Sequence, residues 1–210
     1  MRYFVFVLAL LCLWPVFAAR AEKTEDFKAD VAAVESYLQG LDTAQARFVQ
    51  TTHDGTQLVG TFYLRRPGKL RFEYDDPIED FVVADGLFIY FYDAELGEQT
   101  NAPIGQTLAD FFLRKDISLG EDVRVKSLKR GGGYLQVELV QEADPEAGSL
   151  TLGFKENKDD KALVLSKWRV VDAQGLITEV ELFHLKTGDE LDPDLFVYKD
   201  PDGKSAPYNE

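Results

Sequence analysis

Groups able to carry covalent or acid–base chemistry are scarce and scattered in this chain of 210 residues. A hydrolytic triad needs a nucleophile, a base and an orienting acid brought together. His53 and His184 are the only histidines, Cys12 is the only cysteine, and no G-x-S-x-G occurs. Neither histidine has metal-ligand spacing around it, so both read as strand-end or surface residues. Gly131-Gly132-Gly133 lacks the lysine and following helix of a phosphate loop and reads as a hairpin turn. Acidic side chains abound, which leaves a glycosidase-type carboxylate pair as an open alternative. Their scatter on strand faces and in turns, as at Asp159-Asp160, suits solvation and edge protection instead. The residues therefore favour a protein that is not an enzyme and takes no metal or cofactor.

Arg66, at a predicted strand end before Pro67, has two readings. It is a solvated turn residue, or its fork of N–H donors reaches bare carbonyls at helix ends. What lies beside it gives the second reading a purpose. Residues 60–93 hold nine aromatic side chains on short strands broken by Arg65-Arg66-Pro67-Gly68, Asp76-Pro77 and Asp85-Gly86. Aromatics spread over successive strands make a wide apolar sheet face, which lines either a core or a cavity.

The elements that must position these residues begin after a targeting segment. Residues 1–21 have one early charge at Arg2, an apolar run over 3–17, and Ala19-Arg20-Ala21 as a small-x-small cleavage site. This reads as a secretory signal, with the mature chain starting at Glu22; the apolar run is shorter than the roughly 20 residues a membrane anchor needs. Leu11 precedes Cys12 where a lipoprotein signal places a small residue, so the protein is not expected to be lipidated itself. The mature part has no disulfide, and its stability must come from core burial. Removing Arg2 and Arg20 from the 23 basic residues leaves 21 against 37 acidic ones, a net charge of −16. That balance disfavours nucleic acid and anionic membrane surfaces as partners. With no linker, repeat or low-complexity tract, 22–210 is expected to be one soluble, monomeric domain.

From 24 to 41 the apolar positions Phe27, Val31, Val34, Tyr37, Leu38 and Leu41 follow helical spacing, with Thr24 as cap and Gly40 as stop. Alternation then predicts strands over 44–53 and 56–65, joined at Asp54-Gly55, with Ala46, Phe48, Leu58, Phe62 and Leu64 on one face. Leu70, Phe72 and Tyr74 alternate with Arg71, Glu73 and Asp75, and a further hairpin turns at Asp85-Gly86. Pro103, Ile104, Leu108, Phe111 and Phe112 predict one short amphipathic helix over 101–115. Strands follow over 123–128, 134–140, 150–154, 163–171 and 176–185. The fold class is mainly β with helices (α+β): a strongly curved antiparallel sheet whose open side the helices can cover.

The order of these pieces resembles the periplasmic lipoprotein carrier family LolA over nearly the whole mature chain. The matching stretches are the first helix, Ala46-Arg47-Phe48-Val49-Gln50, and Gly60-Thr61-Phe62-Tyr63-Leu64-Arg65-Arg66-Pro67. Leu70-Arg71-Phe72-Glu73-Tyr74, Ala84-Asp85-Gly86 with Tyr90-Phe91-Tyr92, and the ending Leu191-Asp192-Pro193-Asp194-Leu195-Phe196-Val197-Tyr198 continue it. The resemblance implies an incomplete barrel in the periplasm whose hollow takes the acyl chains of lipoproteins. It implies an inner-membrane ABC transporter of the LolCDE type as donor partner and an outer-membrane receptor as a candidate acceptor.

On this basis Phe48, Phe62, Leu64, Leu70, Phe72, Tyr74, Phe81 and Tyr90 are expected to line the hollow, Ile104, Leu108, Phe111 and Phe112 to form the lid, and Arg66 to latch it. Phe72 and Tyr90 stand where the family has tryptophans. Two other classes remain: a hydrolase with acids in a polar cleft, and a structural or sensor module on the same fold that binds a protein or another lipid.

Overall fold

The computed structural model describes residues 16–120, 123–157, 159 and 162–201, with residues 16–25 described by backbone alone. One helix, α1 (Val16–Gln39), precedes six strands: β1 (Thr43–Thr51), β2 (Gln57–Arg65), β3 (Lys69–Tyr74), β4 (Phe81–Asp85), β5 (Phe88–Asp93) and β6 (Glu98–Pro103). A 3-10 turn (Ile104–Gln106) and the single-turn helix α2 (Asp110–Leu113) follow. Five more strands complete the sheet: β7 (Val123–Gly131), β8 (Tyr134–Gln141), β9 (Gly148–Glu156), β10 (Leu163–Asp172) and β11 (Ile177–Thr187). A last 3-10 turn spans Pro193–Phe196.

All eleven strands form one sheet in the order β6-β5-β4-β3-β2-β1-β11-β10-β9-β8-β7. Two meanders, β1–β6 and β7–β11, are thus joined through the antiparallel pair β1–β11. The outer strands β6 and β7 do not pair, so the barrel is incomplete. Its curvature follows from side-chain distances. Three strand spacings separate β2 from β10, about 14 Å in a flat sheet, yet the Phe62 and Trp168 rings are 5.4 Å apart. Only a sheet curled towards the face that carries both rings brings them together.

Strand alternation decides what that concave face holds. The register Ala46↔Phe62 and Phe48↔Gly60 puts the expected face of β1 and β2 together, and Phe62↔Phe72 and Leu64↔Leu70 extend it to β3. Gly60 has a packing reason to lack a side chain: a Cβ there would lie 2.7 Å from the Phe48 ring. The gap lets Phe48 reach across β2 to meet Phe72 edge-on at 5.2 Å and Tyr74 at 5.4 Å. At the β1–β2 hairpin the Asp54 carboxylate accepts from Thr52 and from the Thr56 amide, which lowers its pKa to about 2.

Four expectations are corrected. Thr24 does not cap α1, which already begins at Val16, although the helix does end at Gln39 before Gly40. The single helix over 101–115 is replaced by the end of β6, the 3-10 turn and α2, since residues 98–103 pair with β5 instead of coiling. Phe81 and Tyr90 do not face the concave side. The register Phe72↔Val82 turns Val82 inward and Phe81 outward with Glu73, and Val83↔Tyr90 carries Tyr90 to the same outer face. There Phe81, Val83 and Tyr92 form a separate cluster with Tyr90 and Tyr198.

Candidate functional site

The candidate site is the concave face and the elements that close it. Phe48, Phe62, Leu64 and Leu70 are buried there, and Phe72 and Tyr74 are half-buried against them. The expected lid residues Ile104, Phe111 and Phe112 belong to the same core, with Leu108 packed at its side. Phe112 enters deepest, its ring 6.4 Å from Phe62 and 6.0 Å from Trp168. Rings of sheet and cover fill the centre in mutual contact, so the concave face is packed where an open hollow was expected.

A single turn of helix has little stability of its own; α2 holds its place through Phe111, Phe112 and Leu113, all buried. α1 lies beside it. Val34 and Leu38 are buried in the shared core, and Tyr37 meets Phe154 edge-on at 5.3 Å. The Tyr37 hydroxyl accepts from the Leu165 amide at 3.1 Å, beside the β10 irregularity between Leu165 and Lys167. Burial raises the Tyr37 pKa, and it raises that of Tyr74 to about 12, against the bond Tyr74 donates to Gln50 Oε1 at 3.1 Å.

Arg66 joins the two covers. Its Nη1 donates to the Leu38 carbonyl and, at 3.3 Å, to that of Leu41, at the C-terminal end of α1. Its Nη2 donates to the carbonyls of Arg114 at 2.8 Å and Lys115 at 3.1 Å, just after α2. The Leu38 carbonyl lies in the last turn of α1, where a helix leaves carbonyls without intrahelical donors, and a cation at that end also suits the helix dipole. Burial lowers the Arg66 pKa, opposed by the nearby charges of Asp42 and Asp116. Gly68 adds a bond from its amide to the Leu113 carbonyl at 2.8 Å. At Gly68 φ is +78° and a Cβ would sit 2.8 Å from the Gly86 Cα, so the loop passes close enough to the neighbouring hairpin to need a glycine.

Sequence reasoning missed Trp168, Leu113, Ile117 and the Gly68 amide. Trp168 stands in phase with Val170 on β10, which is a face signal, but the irregularity after Leu165 breaks the alternation from that strand's start. His53 sits exposed in the β1–β2 hairpin and His184 exposed on β11. Among the described residues no group of three metal-binding side chains converges, and no helix is long and apolar enough to cross a membrane.

The family described as "Outer membrane lipoprotein carrier protein LolA" matches residues 39–199. An outer-membrane lipoprotein carrier protein of Methylococcus capsulatus is 30% identical, over 96% of this chain and 95% of its own. One of Methylibium petroleiphilum is 30% identical over 93% of this chain and 94% of its own, and one of Legionella pneumophila 30% identical over 81% and 85%. By the family match over 39–199 and relatives 30% identical over most of both chains, the chain belongs to the LolA family.

Proposed function

We propose that this protein is a periplasmic carrier that takes acylated lipoproteins from an inner-membrane ABC transporter of the LolCDE type and bears them towards the outer membrane and a receptor there. Residues 1–21 are the export signal and 22–210 the carrier domain. The acyl chains lie on the concave face, against Phe48, Phe62, Leu64, Leu70, Phe72 and Tyr74, once the covers lift and Phe112 leaves its place beside Trp168. The observation that carries this reading is Arg66: one side chain gathers four carbonyls from two covers above an aromatic sheet face.

Each CH2 exposed to water costs about 0.8 kcal/mol, so acylated cargo needs an apolar shelter during transit. The shelter must also let go. A closed empty state held by a few polar bonds between its covers can be displaced by acyl entry and restored on release, because binding shifts a two-state equilibrium only by its differential affinity. Transfer is exchange between apolar sites, with no covalent step. The test is depletion in the source cell with Arg66→Leu as the replacement gene. Depletion should strand outer-membrane lipoproteins at the inner membrane, and Arg66→Leu should accept them yet stall them in the periplasm. Normal lipoprotein sorting in depleted cells would overturn the reading.

A further inference from the structure

Arg66 is not the only group that holds the covers together. The chain leaves α2 through residues 114–119 on its way to β7, and α1 grips this segment a second time. Glu35 Oε2 accepts from the Leu119 amide at 2.8 Å, and Gln39 Nε2 donates to the Ile117 carbonyl at 3.0 Å. Glu35 and Gln39 stand four residues apart, on one helix face, and Gln39 Nε2 also donates to Glu35 Oε1 at 3.4 Å. The target segment is well seated, with Ile117 3% exposed in the core and Leu119 in a parallel bridge to Val123.

We propose that Glu35 and Gln39 form a second clasp that couples the last turn of α1 to the trailing end of the lid, so that both covers open as one unit. Arg66 supplies donors to carbonyls only. The clasp supplies one acceptor and one donor, and so fixes the position of the 117–119 backbone along the helix in a way a guanidinium cannot. With both in place, α1 cannot lift at Leu38 without pulling residues 114–119, and α2 cannot lift without straining the bonds to α1. Opening is then all-or-none, which suits a carrier that must not leak half-bound chains; the purpose, though not the coupling, rests on the carrier reading.

Residue-resolved hydrogen exchange on the cargo-free protein tests this. In Glu35→Ala the Leu119 amide should exchange about ten-fold faster, the loss expected for one charge-assisted hydrogen bond. Coupling requires a comparable acceleration at the amides of Arg114, which follows α2 and donates to Asp110 O, and Gly40, which donates to Ser36 O. Glu35→Gln keeps an acceptor oxygen and should recover most of the protection, and Gln39→Leu, which leaves Glu35 in place, should reproduce the acceleration at Arg114. If Leu119 alone accelerates, or none of them does, the clasp is only a local cap and the proposal fails. Because no cargo is present, that failure leaves carriage untouched. Loss of lipopeptide retention by the parent protein would overturn carriage without bearing on the clasp.

Discussion

The two faces of β3–β5 carry similar residues and are covered in different ways. On the concave side Phe72 and its neighbours lie beneath α1 and α2. On the convex side Phe81 stacks on Tyr92 at 5.2 Å, Tyr90 stacks on Tyr198 at 4.7 Å, and the Arg71 guanidinium lies 5.0 Å over the Phe81 ring. The C-terminal segment crosses this second cluster, anchored by Phe196, which is 1% exposed. Within this segment Asp192 accepts from the Asp194 amide at 2.9 Å, and Lys199 pairs with Asp194. The concave covers send polar bonds to Arg66 and, through Glu35 and Gln39, to each other. Lifting the covers therefore breaks polar bonds between elements, at Arg66 and at Glu35 and Gln39, whereas the C-terminal segment is held by ring stacking and the buried Phe196.

The largest effect should separate packing from cargo binding. Phe62→Ala and Phe81→Ala should each lower stability, the fully buried Phe62 by roughly 3–5 kcal/mol in chemical denaturation. Only the concave substitution should also reduce retention of a triacylated lipopeptide in native mass spectrometry. Equal losses of retention would erase the distinction between the faces.

Next comes the proposed latch. Arg66→Leu removes charge-assisted bonds worth roughly 1.5–3 kcal/mol each to its acceptors, so exchange over residues 104–119 should quicken while residues 191–198 stay protected. Leucine also offers acyl chains a further apolar contact, and lipopeptide should dissociate more slowly than from the parent. Arg65→Leu should leave both measurements near parental values, because Arg65 lies on the opposite face of β2, paired with Thr43 and Lys69.

A smaller change sharpens the map of the proposed acyl face. Phe72→Glu places a carboxyl without a partner in apolar surroundings at a cost of roughly 1–3 kcal/mol, and lipopeptide affinity should drop by about ten-fold or more. The same substitution at Val83, on the convex face, should leave affinity unchanged once the variant's stability is matched.

The smallest effect concerns Tyr74. Its folded pKa, raised by burial from 10.0 to about 12, lies above the unfolded value. The stabilisation linked to its proton is therefore complete below pH 10 and lost as pH climbs through about 12. Tyr74→Phe should cost about 1 kcal/mol at neutral pH through the lost bond to Gln50, and it should flatten the alkaline fall in stability between those limits.

Much of this was legible in the sequence because β alternation and turn residues are local signals. Asp54-Gly55, the alternating 70–75 stretch and the triple-glycine turn sufficed for those hairpins. The carbonyl bonds of Arg66 had only a family resemblance to favour them, since nothing local tells a side chain that reaches helix ends from a turn cation. Phe81 and Tyr90 were not, because the residues between Tyr74 and Phe81 decide which parity resumes on β4, and aromatic size suggests either face. The 101–115 stretch misled for a related reason. Ile104, Leu108 and Phe111 have helical spacing, but residues 98–103 complete the edge of the sheet, and pairing with β5 outweighs local helical preference.

Trp168 offers the most direct measurement. In residues 22–210 it is the sole tryptophan, and it touches Phe62, Phe72 and Phe112 on the concave face. A triacylated lipopeptide with bromine-labelled acyl chains, titrated into the mature protein with binding followed in parallel by native mass spectrometry, should quench Trp168 emission in step with occupancy. Full binding with unchanged Trp168 emission would place the cargo elsewhere and contradict the concave face as the acyl site.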